Sequence, residues 1–220
     1  MVSIAELLRE EMKSGDSLLI EYPGGYPIED LLWGQVMPAI LQKGMVLVDD
    51  FFGVGDLMFR NYVRKLPASE YKTLLRGIRN ISVIKIGPGQ ASYGKILVQV
   101  PLTYDSEAFL DSYYGAIRES LRTQDKPLYF VSLGVSEYIY FGKEKALQTL
   151  LVTRSSLPIE DWASVYLLNT DLVNGSALAL MEELSSWVLE VWGKEGSTIN
   201  LKKGLIGGSN DKRRGQSSAD

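Results

Sequence analysis

Gly15-Asp16-Ser17-Leu18-Leu19-Ile20-Glu21-Tyr22-Pro23-Gly24-Gly25-Tyr26-Pro27-Ile28-Glu29-Asp30 is the stretch whose reading decides the fold. Residues 17–22 form a short apolar run after Gly15-Asp16, which reads as a buried strand. Pro23 to Pro27 is turn chemistry. Ile28, Leu31, Leu32, Val36, Ala39 and Ile40 then recur at helical spacing, so a helix is expected over 28–42, closed by Gly44. The chain begins strand, tight turn, helix.

The same alternation continues. Strands are expected at 45–50, 81–86, 96–101, 127–133 and 163–169, and helices at 56–66, 69–77, 106–122, 136–150 (broken at Gly142) and 176–185. A terminal antiparallel pair is expected at 187–192 and 198–203, joined through 193–197. Apolar strand-sized runs separated by helices favour βαβ crossovers. The expected fold class is therefore α/β: a three-layer sandwich with a mostly parallel sheet and antiparallel C-terminal strands. One domain over residues 1–206 and a disordered polar tail over 207–220, carrying Lys212, Arg213 and Arg214, complete the expected organisation.

Composition narrows the chemistry. Cysteine and histidine are both absent, which excludes disulfides, thiolate nucleophiles, Cys/His zinc sites and imidazole catalysis. A formal net charge of −4 disfavours broad capture of nucleic acid or anionic membrane. Residues 1–13 carry Glu6, Arg9, Glu10 and Glu11, suiting an amphipathic helix and not a signal peptide. No apolar run approaches the ~20 residues that span a bilayer. A cytoplasmic protein is expected, and the missing cysteine with abundant Glu, Lys and Arg leans towards a thermophilic source.

Three stretches resemble the KaiC-like branch of the RecA superfamily of P-loop NTPases. Residues 15–24 are similar to its first strand entering the phosphate loop. Lys43-Gly44-Met45-Val46-Leu47-Val48-Asp49-Asp50 is similar to the second strand, and Leu184-Ser185-Ser186-Trp187-Val188-Leu189-Glu190-Val191 to a late strand. Over residues 1–203 the chain also resembles a family of uncharacterised Thermococcales proteins, known as a domain of unknown function. The first resemblance implies a RecA-like sheet and a phosphate loop of the form G-x-x-x-x-G-K-S/T. That loop works because glycine amides, a lysine and a hydroxyl converge on phosphate and magnesium.

Laid on that pattern, Glu21 replaces the first glycine and Tyr26 the last, around Gly24 and Gly25; Pro27 replaces the lysine and Ile28 the hydroxyl. Pro27 has neither ammonium nor amide N–H, and Ile28 cannot ligate a metal. Glu29 and Asp30 suit a helix start and would repel phosphate. A degenerate Walker motif is therefore expected, with no nucleotide, metal or other cofactor. A second match, Gly89-Gln90-Ala91-Ser92-Tyr93-Gly94-Lys95, precedes Ile96 and a strand where a phosphate loop must open a helix; it reads as a hairpin connection. The acid that supports magnesium in the family is missing from Phe130-Val131-Ser132-Leu133-Gly134.

Asp49 and Asp50 end the second strand, at the edge where doubly wound sheets bind ligands. They are a candidate acidic site, although neighbouring strand residues point to opposite faces. Lys202 and Lys203 sit where KaiC-like subunits send a basic residue to a neighbour's nucleotide; solvated edge lysines are the plainer reading. The tyrosines are assigned chiefly to packing between sheet and helices. Three functions stay open: a non-catalytic interaction or assembly module with a protein partner or further copies of itself, a carboxylate- or metal-dependent enzyme or nucleotide-binding ATPase using the strand-end crevice, and a DNA-associated accessory protein by fold analogy alone.

Overall fold

The strands at the centre of the sheet are buried, because helices cover both faces. A computed structural model describes residues 3–123, 128–157, 161–193 and 198–204; the expected tail at 207–220 and residues 194–197 of the last connection lie outside them. The strands are β1 (Ser17–Tyr22), β2 (Val46–Phe51), β3 (Ile81–Ile86), β4 (Lys95–Val100), β5 (Tyr129–Leu133), β6 (Ala163–Asn169), β7 (Trp187–Trp192) and β8 (Thr198–Lys203). They form one sheet in the order β4-β3-β2-β5-β6-β1-β7-β8. All neighbours are parallel except β7 and β8. Burial on two faces explains why these strands read as continuous apolar runs and not as alternating patterns.

Helices α1 (Ile4–Glu6), α2 (Ile28–Leu31), α3 (Met37–Leu41), α4 (Val54–Val63) and α5 (Ala68–Gly77) supply one face. Helices α6 (Ser106–Thr123), α7 (Val135–Ser156) and α8 (Gly175–Glu183) supply the other. The expected helix over 28–42 is continuous, but its middle, Leu32–Val36, is a π turn. Pro38 has no N–H to give the carbonyl of Gly34, and the π turn absorbs the defect. Leu31, Leu32, Trp33, Val36, Met37, Ala39 and Ile40 are nonetheless buried there. Full burial stabilises each large apolar side chain by roughly 1.5–3 kcal/mol, which outweighs the lost bond.

The anticipated break in α7 sits at Lys143, whose φ is 49° and ψ −128°. Gly142 precedes it because the Tyr104 ring occupies the space of any β-carbon. The connection 87–94 overturns the hairpin expectation. β3 and β4 are parallel, with Ser82 opposite Lys95 and Ile86 opposite Val100. Eight residues run back from the end of β3 to the start of β4, and Tyr93 is buried under α4 against Trp33 and Phe59. Apolar packing of Tyr93 and Ala91 takes the place of the usual crossover helix.

Candidate functional site

The chain leaves β1 through a type II turn. Tyr26 N–H donates to the Pro23 carbonyl at 3.2 Å, and Gly25 takes a φ of 78°, which that turn requires at its third position. Ile28 N–H donates to the Tyr26 carbonyl at 2.7 Å. Gly24 N–H points outward and donates to the Asp171 carboxylate at 2.8 Å; a β-carbon on Gly24 would lie 2.8 Å from the same oxygen. Thr170 seals the strand end, its N–H donating to the Tyr22 carbonyl at 2.9 Å. Tyr26 and Ile28 are buried in the core under α2, with the Tyr22 and Tyr26 ring centroids 6.5 Å apart. Pro27 flanks the helix as its N-terminal residue.

Acid and base around this turn are matched within the chain. Glu21 is buried on β1, and Lys202 of β8 reaches it at 2.9 Å while also pairing with Glu182 of α8. Burial raises the Glu21 pKa and the Lys202 ammonium opposes that rise. Lys203 donates to the carbonyls of Glu182 and Glu183, which end α8. Both lysines, read from sequence as solvated, are instead turned back onto their own subunit, where a buried carboxylate and helix-end carbonyls attract them. Glu29 and Asp30 share Lys65 at 2.7 and 3.0 Å.

Asp49 and Asp50 lie on opposite faces of β2. Asp49 faces α6, where the Tyr113 hydroxyl donates to it at 2.9 Å and its other oxygen is buried without a hydrogen-bond partner. Burial pushes its pKa up to about 7, against the lowering effect of the Ser132 and Tyr113 hydroxyls. Asp50 faces α4 and accepts from Gly55 N–H at 3.0 Å and the Tyr93 hydroxyl at 3.0 Å. Burial raises Asp50 to about 6, with Gly55 N–H and Lys85 lowering it. The two carboxylates cannot meet at one ion. Among the described residues no group of three or more acidic, histidine or cysteine side chains is placed to hold a metal.

Lys85 was missed by sequence reasoning. It sits in β3, fully buried, with its Nζ donating to the carbonyls of Asp50, Ile86 and Pro88 at 3.2, 3.3 and 2.7 Å. Burial lowers its pKa, while Asp50 and Asp56 favour the charged form. Asp56 in turn accepts from Ser92 N–H and hydroxyl and pairs with Arg60 at 3.0 Å. The signal was a lone charge in Ile81-Ser82-Val83-Ile84-Lys85-Ile86, at the same parity as inward Ile81 and Val83. This network fastens the 87–94 crossover, whose Gly89 and Gly94, with Lys95 at the start of β4, spell the second phosphate-loop match.

No curated protein matches the chain. Among solved structures, the Pyrococcus horikoshii protein PH0250 is 22% identical with a TM-score of 0.71, covering 91% of this chain and 92% of its own. The uncharacterised PH0321 of the same organism, crystallised with an unknown peptide, is 16% identical with a TM-score of 0.61, over 91% and 90%. The KaiC-like protein PH0186, also from P. horikoshii, is 11% identical with a TM-score of 0.52, over 88% and 81%. At these identities the likeness is one of fold, and the fold is RecA/KaiC-like. Residues 6–207 match the family described as Pyrococcus protein of unknown function, DUF257, and the chain belongs to that family.

Proposed function

We propose that residues 1–206 act as one non-catalytic RecA/KaiC-like domain in the cytoplasm, an interaction or assembly module whose phosphate-loop position is degenerate. One observation carries this reading: the outward amide of the turn, Gly24 N–H, is already held by Asp171. A phosphate there would have to displace one carboxylate and settle beside Glu29 and Asp30. At the motif's lysine and hydroxyl positions it would meet Pro27, which also lacks an amide N–H, and Ile28, while the nearby Lys65 is already engaged by Glu29 and Asp30. The lysines nearest on β8 are engaged with Glu21, Glu182 and the end of α8.

A role in protein contact is supported by PH0321, whose crystals contained a peptide. The carboxylate-enzyme reading loses its shared site because Asp49 and Asp50 serve different faces. Isothermal titration with ATP and Mg²⁺ tests the proposal. The expected result is no saturable heat, and micromolar binding would overturn it.

A further inference from the structure

Two apolar features on opposite sides of the sheet are left without a use by the turn at β1. The first is a groove of about 570 Å³ between α3, α4 and α5, walled by Trp33, Leu41, Tyr62, Leu66 and Leu74. Its size lies within the range of pockets that enclose drug-sized molecules. No residue of α5 is fully buried, so one wall is held only lightly. The Trp33 indole N–H has no hydrogen-bond partner.

The second feature is a knob. Tyr140 and Phe141 on α7 are 54% and 63% exposed, packed edge to face at 5.2 Å. Large neighbouring aromatics so exposed commonly mark an interface. Backbone strain holds the knob in place. Phe52, at a φ of 61°, packs its ring against Phe141 with centroids 5.8 Å apart, and the helix breaks just beyond Phe141 at Lys143, φ 49°. Positive φ in residues with a β-carbon costs of order 1–3 kcal/mol and clusters where a surface is used.

Knob and groove match in polarity and, by one unit, in charge. Lys143, Glu144 and Lys145 are exposed just after Phe141 and carry a net positive charge. Glu70 is the charged side chain that lines the groove. The groove belongs to the α1–α5 face and the knob to the α6–α8 face, so one copy cannot fill its own groove. We infer that a second copy fills it: Tyr140 and Phe141 of one subunit seat between α3, α4 and α5 of the next, a head-to-tail contact of this chain with itself. The inference rests on the reading of the protein as an assembly module and names its partner. Two aromatics bury roughly 300–500 Å², short of the ~800 Å² per partner of a standard interface. The association is therefore weak and concentration-dependent, and being heterologous it propagates.

Sedimentation velocity on the full chain, up to about 1 mM, tests it. The mean mass of the wild-type protein rises with concentration. Phe141→Glu and Leu74→Arg each weaken association at least tenfold, and Thr73→Arg on the exposed rim does the same without touching the core. An equimolar mixture of Phe141→Glu and Leu74→Arg forms pairs that grow no further, since each supplies the half the other lacks. A monomer at every concentration, undiminished association in the variants, or a mixture that fails to pair would overturn it. None of these outcomes bears on ATP binding, which decides the underlying reading separately.

Discussion

The ends of β1 and β2 lie on the same edge of the sheet and handle charge in opposite ways. At β1 the chain turns through Pro23-Gly24-Gly25-Tyr26-Pro27, with aromatic and aliphatic side chains packed inward and a single carboxylate, Asp171, laid across the outside. At β2 the charges are inside: Asp49, Asp50, Asp56 and Lys85 are all buried, each fixed by hydroxyls, amides or carbonyls. The contrast teaches that a strand end can be closed in two ways. One packs it with nonpolar atoms and a single distant acid, and the other spends its polar groups on holding loops. Breaking the buried Asp50–Lys85 network at β2 should therefore cost far more than substitutions at β1.

Lys85→Met should have the largest effect. It leaves Asp50 buried without its cation and takes the ammonium away from the Asp50, Ile86 and Pro88 carbonyls, a loss of about 3–5 kcal/mol, read by urea unfolding. A smaller loss than that of any β1 substitution would break the comparison. Asp49→Asn should act in the opposite direction. The folded pKa of Asp49, about 7, exceeds the unfolded value of 3.8. Its contribution is thus fully present below pH ~4 and is lost as pH rises through ~7, because burial penalises the ionised form. The wild-type melting temperature should fall across that window. Asp49→Asn should flatten the fall and gain on the order of 3 kcal/mol at pH 8, and an unchanged pH profile would contradict the assignment.

At the β1 end the expected costs are lower. Lys202→Ala strands the buried Glu21 carboxylate, but Lys202 is 33% exposed, and solvent screening holds the loss to about 2 kcal/mol. Lys202→Met, keeping the stem and losing the charge, should cost nearly as much. Asp171→Ala should be mildest, at roughly 1 kcal/mol for one exposed hydrogen bond, measured by the same unfolding assay. On the proposed reading it should not create ATP binding, since Pro27 and Ile28 remain.

Much of the fold was legible because it is written locally. Buried parallel strands appear as unbroken apolar runs, so β1, β3 and β6 fall where the runs fall. Gly142 marked the break in α7, and Tyr93, Tyr113 and Tyr138 are buried between sheet and helices. What escaped was set by distant partners. Gly24 and Asp171 are 147 residues apart, and Glu21 and Lys202 are 181 apart; neither pairing leaves a local trace. The 87–94 connection misled because a parallel crossover usually takes a dozen residues or more and a helix. Eight residues rich in glycine look like a hairpin until Tyr93 is seen pinned to Asp50. At the acidic pair, alternation along the strand was enough to doubt a shared site, and burial of the two side chains against different helices supplies the rest.

The amide resonance of Gly24 is the most direct witness to the central claim. In a titration of ¹⁵N-labelled protein with ATP and Mg²⁺, the Gly24 and Tyr26 cross-peaks should stay where Asp171 and Pro23 hold them. A saturable shift of the Gly24 amide, moving with the ³¹P signal of the nucleotide, would contradict it.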